Sequence, residues 1–405
     1  MIRHWLTSAT VLAGLLGTLG SVPDASAEER GGMESVRVAS SAPLDRSKLA
    51  AVATTASGAV RLLFSGDSGR SWTSGPSISL AAESRRFSSG GQFEAGPWLL
   101  GDGRTMLAAF NDRLRRSVDG GVTWTESRHL PGTSSEFHLT VDPLRPDEAW
   151  FCEDRTTAAI NWHTGDAGTT WQRRGRHSDR CRPQAIQPAG SHVLLAGEPI
   201  SPADGWISRS TDDGRSWSRA RGTSSRFVPD EDLAFDPERP NVAVVAATDL
   251  HGVRDPDQQG RWSIWRTTDA GATWTRVWRV PTYRCNRLTE LRCGSYSRGG
   301  APRMVFGGDR FVIGPLTRSG IGLRSASLGA VYLVSSRHGL DWRLIRAPYA
   351  DQRRPLESMP STGFSVSTAD GLVAQETPRS RTSGQRLWRL RSGSNRWVSE
   401  PFALD

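Results

Sequence analysis

TTDAGATW, residues 267–274, decides how this chain is read, because it returns. SGDSGRSW at 65–72, SVDGGVTW at 117–124, TGDAGTTW at 164–171 and STDDGRSW at 210–217 share its plan, Ser/Thr-x-Asp-x-Gly-x-x-Trp. A sixth copy, SSRHGLDW at 335–342, keeps Ser335, Gly339 and Trp342 but carries Arg337 in place of the aspartate, and a seventh echo, LRSGSNRW, ends at Trp397. The anchoring tryptophans Trp72, Trp124, Trp171, Trp217, Trp274, Trp342 and Trp397 stand 52, 47, 46, 57, 68 and 55 residues apart. Such a period marks a repeat architecture, and it is enough chain for one small four-stranded sheet.

The physical content of the phrase, or box, is a turn. Short Ser/Thr and Asp side chains hydrogen-bond to backbone amides close to them in sequence. Gly69, Gly121, Gly168, Gly214 and Gly271 are expected at the positive φ such a turn requires. The tryptophan then packs beneath it and opens the next strand. The phrase resembles the Asp-box, or BNR repeat, of sialidases, xyloglucan-cleaving hydrolases, sortilin-type receptors and photosystem assembly factors. That resemblance implies an all-β propeller, with each box a hairpin between the third and fourth strands of a blade, away from the axial ligand face. It implies a structural role for Asp67, Asp119, Asp166, Asp212 and Asp269, and for Trp72, Trp124, Trp171, Trp217 and Trp274.

Between boxes a second pattern recurs. LTVDPLRPDEAW and LAFDPERPNVAV each place an Asp-Pro turn before a second proline, at Asp142-Pro143 with Pro146 and at Asp236-Pro237 with Pro240. Proline cannot donate to a ladder, so these mark the reversal between first and second strands. Dividing the chain accordingly gives units near 35–78, 87–131, 136–176, 183–222, 230–281, 301–348 and 359–403. The count is seven blades, or six if the first or last unit is a partial sheet.

Residues 1–27 read as a secretory signal: Arg3, the apolar run LTSATVLAGLLGTLG, then Ala25-Ser26-Ala27 as a cleavage site. Residues 28–405 form the propeller, and the expectation is a secreted monomer without a membrane span. Four cysteines in an exported chain favour two disulfides. Three pairings are possible; Cys152 with Cys181 and Cys285 with Cys293 are preferred. Their spacing matches no metal-ligand pattern, and neither a metal nor a cofactor is expected.

Charge is the second unusual property: 51 basic residues oppose 42 acidic ones, a formal net of +9, and Lys48 is the sole lysine. Such a chain meets anionic partners readily, whether an anionic glycan, a wall polymer or a protein ligand, while export and the lack of a recognition helix or basic run argue against nucleic acid. Starts of first strands and second-to-third loops converge on the axial mouth of a propeller. Arg86, Arg182, Arg303 and Arg354 are the candidate ligand-binding arginines there, their forks suiting carboxylate or phosphate. Glu136, Asp154, Glu198, Asp232 and Glu376, with Tyr296, are the candidate catalytic groups. The sialidase resemblance calls for three arginines, a tyrosine nucleophile with its glutamate, and an aspartate acid. The Arg-Ile-Pro or Arg-Leu-Pro string of that family is absent, so no sialidase catalytic residue carries over. The expected function is binding at the axial face, with a sialidase-like glycoside hydrolase as the alternative.

Overall fold

The computed structural model describes residues 33–42, 45–55, 60–78, 98–100, 103–110, 113–129, 137–142, 144–145, 147–155, 158–177, 183–187, 194–201, 204–223, 227–236, 238–249, 261–279, 295–307, 310–319, 331–346, 365–368, 371–376, 386–391 and 396–401. Among them lie 28 strands and no helix, arranged as seven four-stranded antiparallel sheets, each ordered first to fourth along the chain. The sheets span 33–78, 98–129, 137–177, 183–219, 227–279, 295–346 and 365–401, which settles the count at seven. Residues 1–27, expected as a leader, lie outside the described residues.

First strands touch the first strands of both neighbours, and the first strand of blade seven returns to that of blade one. First strands are therefore innermost and fourth strands outermost, a closed ring. Among the described residues no strand is exchanged between blades one and seven: Met33–Ser41 to Thr73–Ile78 form one sheet, Ser365–Thr368 to Trp397–Pro401 the other. Propeller blades bury both sheet faces against neighbours. Second strands accordingly read as unbroken apolar runs rather than alternating ones, and Ala243, Val244, Val245, Ala246 and Ala247 are all fully buried.

The core lies between blades. Leu233, Val245, Trp265 and Trp274 of blade five pack with Ala185, Ile207 and Ala220 of blade four. Leu49, Ala51, Leu63 and Trp72 of blade one pack with Val373 and Leu387 of blade seven, so the ring is closed by the same chemistry that joins its other members. Each buried Leu or Val side chain contributes about 1.5–3 kcal/mol, and repetition multiplies it.

The Asp-Pro reversals form as tight turns capped by their aspartates. Asp142 Oδ1 accepts from the Leu144 and Arg145 amides (2.8 and 3.2 Å), and Asp236 Oδ1 from those of Glu238 and Arg239 (2.9 and 3.2 Å). One unit boundary differs from expectation. Blade six begins at Ser295 rather than near 301, because Gly299 and Gly300, which read as loop, sit inside an irregular strand, Ser295–Gly307. The first described strand of blade two is short, Trp98–Leu100.

Candidate functional site

The ring has two ends. In every sheet the register sets the first-to-second turn beside the box, while the start of the first strand lies beside the second-to-third hairpin, as Phe227↔Asp249↔Arg261 shows in blade five. Boxes therefore occupy one end and the catalytic candidates the other.

At the box end each aspartate is consumed by its own turn. The Gly69 amide donates to Ser65 Oγ (2.8 Å), whose hydroxyl donates to Asp67 Oδ1 (2.8 Å). Asp67 Oδ1 also accepts from the Arg70 and Ser71 amides (2.9 Å each), and Oδ2 from the Ser71 hydroxyl (2.8 Å). Thr123, Thr170, Ser216 and Thr273 serve Asp119, Asp166, Asp212 and Asp269 in the same double fashion through amide and hydroxyl. Partial desolvation works to raise the Asp67 carboxyl, but donors to its charged form prevail and hold it at about 2. Asp119, served first by the Thr123 hydroxyl and then by its amide, is likewise held at about 2. Asp166, Asp212 and Asp269 are lowered by the same kind of donors against partial desolvation. These carboxylates stay ionised and saturated, which suits a scaffold and not proton transfer.

The box glycines lie at φ between 74° and 87°, and the residue before each is also left-handed: Ser68, Gly120, Ala167, Asp213, Ala270 and, in the sixth copy, His338 before Gly339. The tryptophan indole donates to the box glycine carbonyl in blades one, two, four, five and six (2.9–3.2 Å). In blade three Trp171 donates instead to Ser127 Oγ of blade two (2.8 Å), and Ser127 in turn donates to the Gly168 carbonyl.

A set of residues that sequence reasoning did not single out joins the boxes to one another. The residue eight before the box tryptophan is arginine in blades two, four, five and seven, and each reaches the next blade's box. Arg116 Nε donates to the Ala167 carbonyl (2.7 Å), Arg209 Nε to Ala270 (2.8 Å), and Arg266 Nε to His338 (2.7 Å). Arg389 Nη2 donates to the Ser68 carbonyl (2.8 Å) across the closing seam. Every acceptor is the left-handed box residue, whose carbonyl the turn leaves facing outward to the neighbouring blade. Aligning the repeats on tryptophan rather than on the aspartate brings these arginines into register. The sixth box, lacking its carboxylate, gains a second tie: His338 Nδ1 lies 2.5 Å from Asp236 Oδ2, the turn aspartate of blade five.

At the opposite end, Asp154, Glu198, Tyr296 and Glu376 lie on strands close to the second-to-third hairpins or first-strand starts of blades three, four, six and seven. Asp232 and Arg303 fall at irregularities in the first strands of blades five and six. Residues 230–232 stand opposite a single partner residue between Pro229↔Ala247 and Leu233↔Val245, and residues 299–302 are accommodated between Arg298↔Leu316 and Arg303↔Gly314. These two strands pack directly together. Glu136, Arg86, Arg182 and Arg354 lie outside the described residues, as do Cys181, Cys285 and Cys293, while Cys152 is placed only by its backbone in Ala149–Arg155. Among the described residues no group of three or more His, Cys, Asp or Glu side chains is placed to hold a metal ion, and no helix is long and apolar enough to cross a membrane.

No protein-family model matches the sequence, and neither does any curated protein. Solved structures do resemble it. An ancestral GH74 enzyme aligns with TM-score 0.52 at 12% identity over 92% of this chain and 46% of its own. A prolyl endopeptidase aligns with TM-score 0.55 at 10% identity, over 91% of this chain and 50% of that one. Sqt1 of Saccharomyces cerevisiae aligns with TM-score 0.50 at 10% identity, over 92% and 86%. The fold is a seven-bladed β-propeller. The chain spans about half the length of the GH74 enzyme and of the endopeptidase, and identities this low speak to fold alone.

Proposed function

We propose that this chain is an exported propeller that binds a ligand at the end opposite the boxes and catalyses no reaction on it. The observation behind this reading is that the first strands of blades five and six carry longer irregularities, residues 230–232 and 299–302, than the single-residue shifts in the first strands of blades one and four. Bulges interrupt pairing and re-aim side chains, and they gather beside functional sites. In this ring they set Asp230, Glu231 and Asp232 on one inner strand and Arg298 and Arg303 on its packed neighbour. Neighbouring strands that carry carboxylates and guanidinium forks suit the polar edges of a glycan, a wall polymer or a protein loop, through hydrogen bonds to neutral and anionic groups alike. Arg303 takes the anionic portion.

A glycan array and a pull-down on the folded protein test this, with Asp232→Asn and Arg303→Gln as partners. Binding weakened by both variants supports the site; binding untouched by either removes it. The alternative is a sialidase-like glycoside hydrolase, favoured by the presence of Asp154, Glu198, Asp232 and Glu376 at one end of the ring. Hydrolysis of a fluorogenic sialoside that is abolished by one of those carboxylate changes would replace the binding reading.

A further inference from the structure

Charge is sorted by radius in this ring. The third and fourth strands, the outer half of each blade, carry twenty arginines against three carboxylates, Glu126, Asp204 and Glu400. The first and second strands carry six arginines against nine carboxylates. Among the described strands, positive charge is thus concentrated in the outer half of each blade.

Part of that outer half is organised further. The residue two after the box tryptophan is arginine in three consecutive blades, as Arg173, Arg219 and Arg276, and all three are exposed. Two of them are steadied on aromatic rings: the Arg219 guanidinium lies 5.1 Å from the Trp206 ring centroid and that of Arg276 5.8 Å from Trp265. The arc stops on both sides. In blade two the equivalent residue is Glu126, paired with Arg113 at 2.7 Å, and in blade six it is Leu344.

We infer that the outer wall of blades three to five is a second binding surface, on which a flexible acidic polysaccharide lies across Arg173, Arg219 and Arg276. The arginines sit on a convex wall at equivalent positions of successive blades, so a linear polymer meets one fork per blade as it bends around the ring. Each fork takes a carboxylate in a paired, charge-assisted contact. A nucleic-acid duplex is too stiff to follow such curvature and would touch one blade at a time, its persistence length being about 150 base pairs. Single-stranded nucleic acid needs open aromatic faces on which bases stack. On this wall the rings of Trp162, Trp206 and Trp265 are overlaid by Arg128, Arg219 and Arg276. This surface is separate from the site at the end opposite the boxes, and neither proposal depends on the other.

Polygalacturonate of graded length, titrated against the whole folded protein, is the probe. Replacing Arg173, Arg219 and Arg276 together by glutamine is expected to weaken binding of the long polymer by about tenfold or more and to flatten its salt dependence. Replacing Arg104, Arg343 and Arg391 together by glutamine removes the same formal charge from exposed positions outside the arc, and is expected to cost less than about threefold. A gain-of-function variant, Glu126→Arg, extends the arc into blade two and should tighten binding. Equal losses in the two triple variants, no binding of polygalacturonate by the native protein, a monosaccharide binding as well as the polymer, or single-stranded DNA binding more tightly through the same three arginines would each overturn the inference. Both triple variants keep Asp232 and Arg303, so any polymer held at the end of the ring contributes equally to each and drops out of the comparison.

Discussion

Replacing Arg389 by alanine should open the ring at one seam. Its side chain is 1% exposed, with Nε and Nη2 reaching Glu400 at 3.1 and 2.9 Å and Nη2 the Ser68 carbonyl of blade one at 2.8 Å. Alanine there leaves Glu400, itself 23% exposed, without its cation, and the Ser68 carbonyl without this donor. Removing one member of a buried pair costs about 3–5 kcal/mol, whereas losing a single charge-assisted bond costs about 1.5–3 kcal/mol. Arg116→Ala, which loses only its 2.7 Å bond to Ala167, is therefore the internal comparison. Among the described residues no strand is exchanged between blades one and seven, so Arg389 joins the contact of their first strands and the apolar cluster of Leu49, Trp72, Val373 and Leu387 in holding the seam. A loss of about 3–5 kcal/mol raises the opening constant by roughly two to nearly four powers of ten. Amide hydrogen exchange should show that rise in Leu49–Thr55 and Gly371–Glu376 and much less in blade four. A uniform rise around the ring, or a loss no larger than that of Arg116→Ala, would refute the reasoning. Pairing Arg389→Met with Glu400→Leu should recover part of the loss, since a matched apolar pair leaves no charge stranded.

Acid should loosen the boxes. Their aspartates are lowered from the ordinary carboxylate value of 3.8, Asp67 and Asp119 to about 2, so the unfolded chain binds more protons in that interval. The stabilisation is fully present above about pH 4 and is lost as pH falls toward about 2. Urea unfolding at pH 5 and pH 3 should show it, and a double variant Asp67→Asn with Asp119→Asn should have a flatter pH dependence; an unchanged slope would contradict the assignment. Gly222→Ala should cost at least about 3 kcal/mol, because a Cβ there would sit 2.3 Å from the Trp274 carbonyl oxygen at a φ of +85°. A loss under about 1 kcal/mol in equilibrium unfolding would show that the blade four to five connection yields more easily than its geometry indicates. His338→Ala should cost about 1–3 kcal/mol by stripping a partner from the buried Asp236 carboxylate, and a thermal melt indistinguishable from the native one would argue that the contact is dispensable.

Tryptophan spacing made the ring legible because each box is a local device: a few short polar contacts and one glycine, all within eight residues. What lay between blades was harder to see. Nothing in the composition of Ser68, Ala167 or Ala270 announces a left-handed residue; the turn imposes that conformation on whatever precedes the glycine. The arginine eight before the tryptophan was hidden by the general abundance of arginine, and only its register across blades two, four, five and seven separates it from background. At the end opposite the boxes the sequence could name candidates but not their neighbours, since no spacing fixes which residues meet across a ring. Bulges such as 230–232 depend on tertiary packing of one inner strand against another and leave no local periodicity.

The two blades with imperfect boxes show how local and inter-blade forces trade off. Blade six lacks the aspartate, yet its turn keeps left-handed His338 and Gly339 and the indole bond from Trp342. Arg266 on the His338 carbonyl is the same tie that intact boxes receive, so the bond particular to this copy is the one from the His338 ring to Asp236 of blade five. Blade seven departs further from the phrase but contributes forward, Arg389 fastening the box of blade one. The turn of the sixth copy thus keeps its shape without the aspartate, with a side-chain contact to the neighbouring blade added. It follows that weakening the box of blade one, by Asp67→Asn, should affect that turn alone while Arg389 is present, and should destabilise the whole seam once Arg389 is gone. The double variant should lose more than the sum of the two singles, because both changes act on the turn that presents the Ser68 carbonyl. Strict additivity in urea unfolding would mean that box and latch act independently, and that the ring closes without any coupling between them.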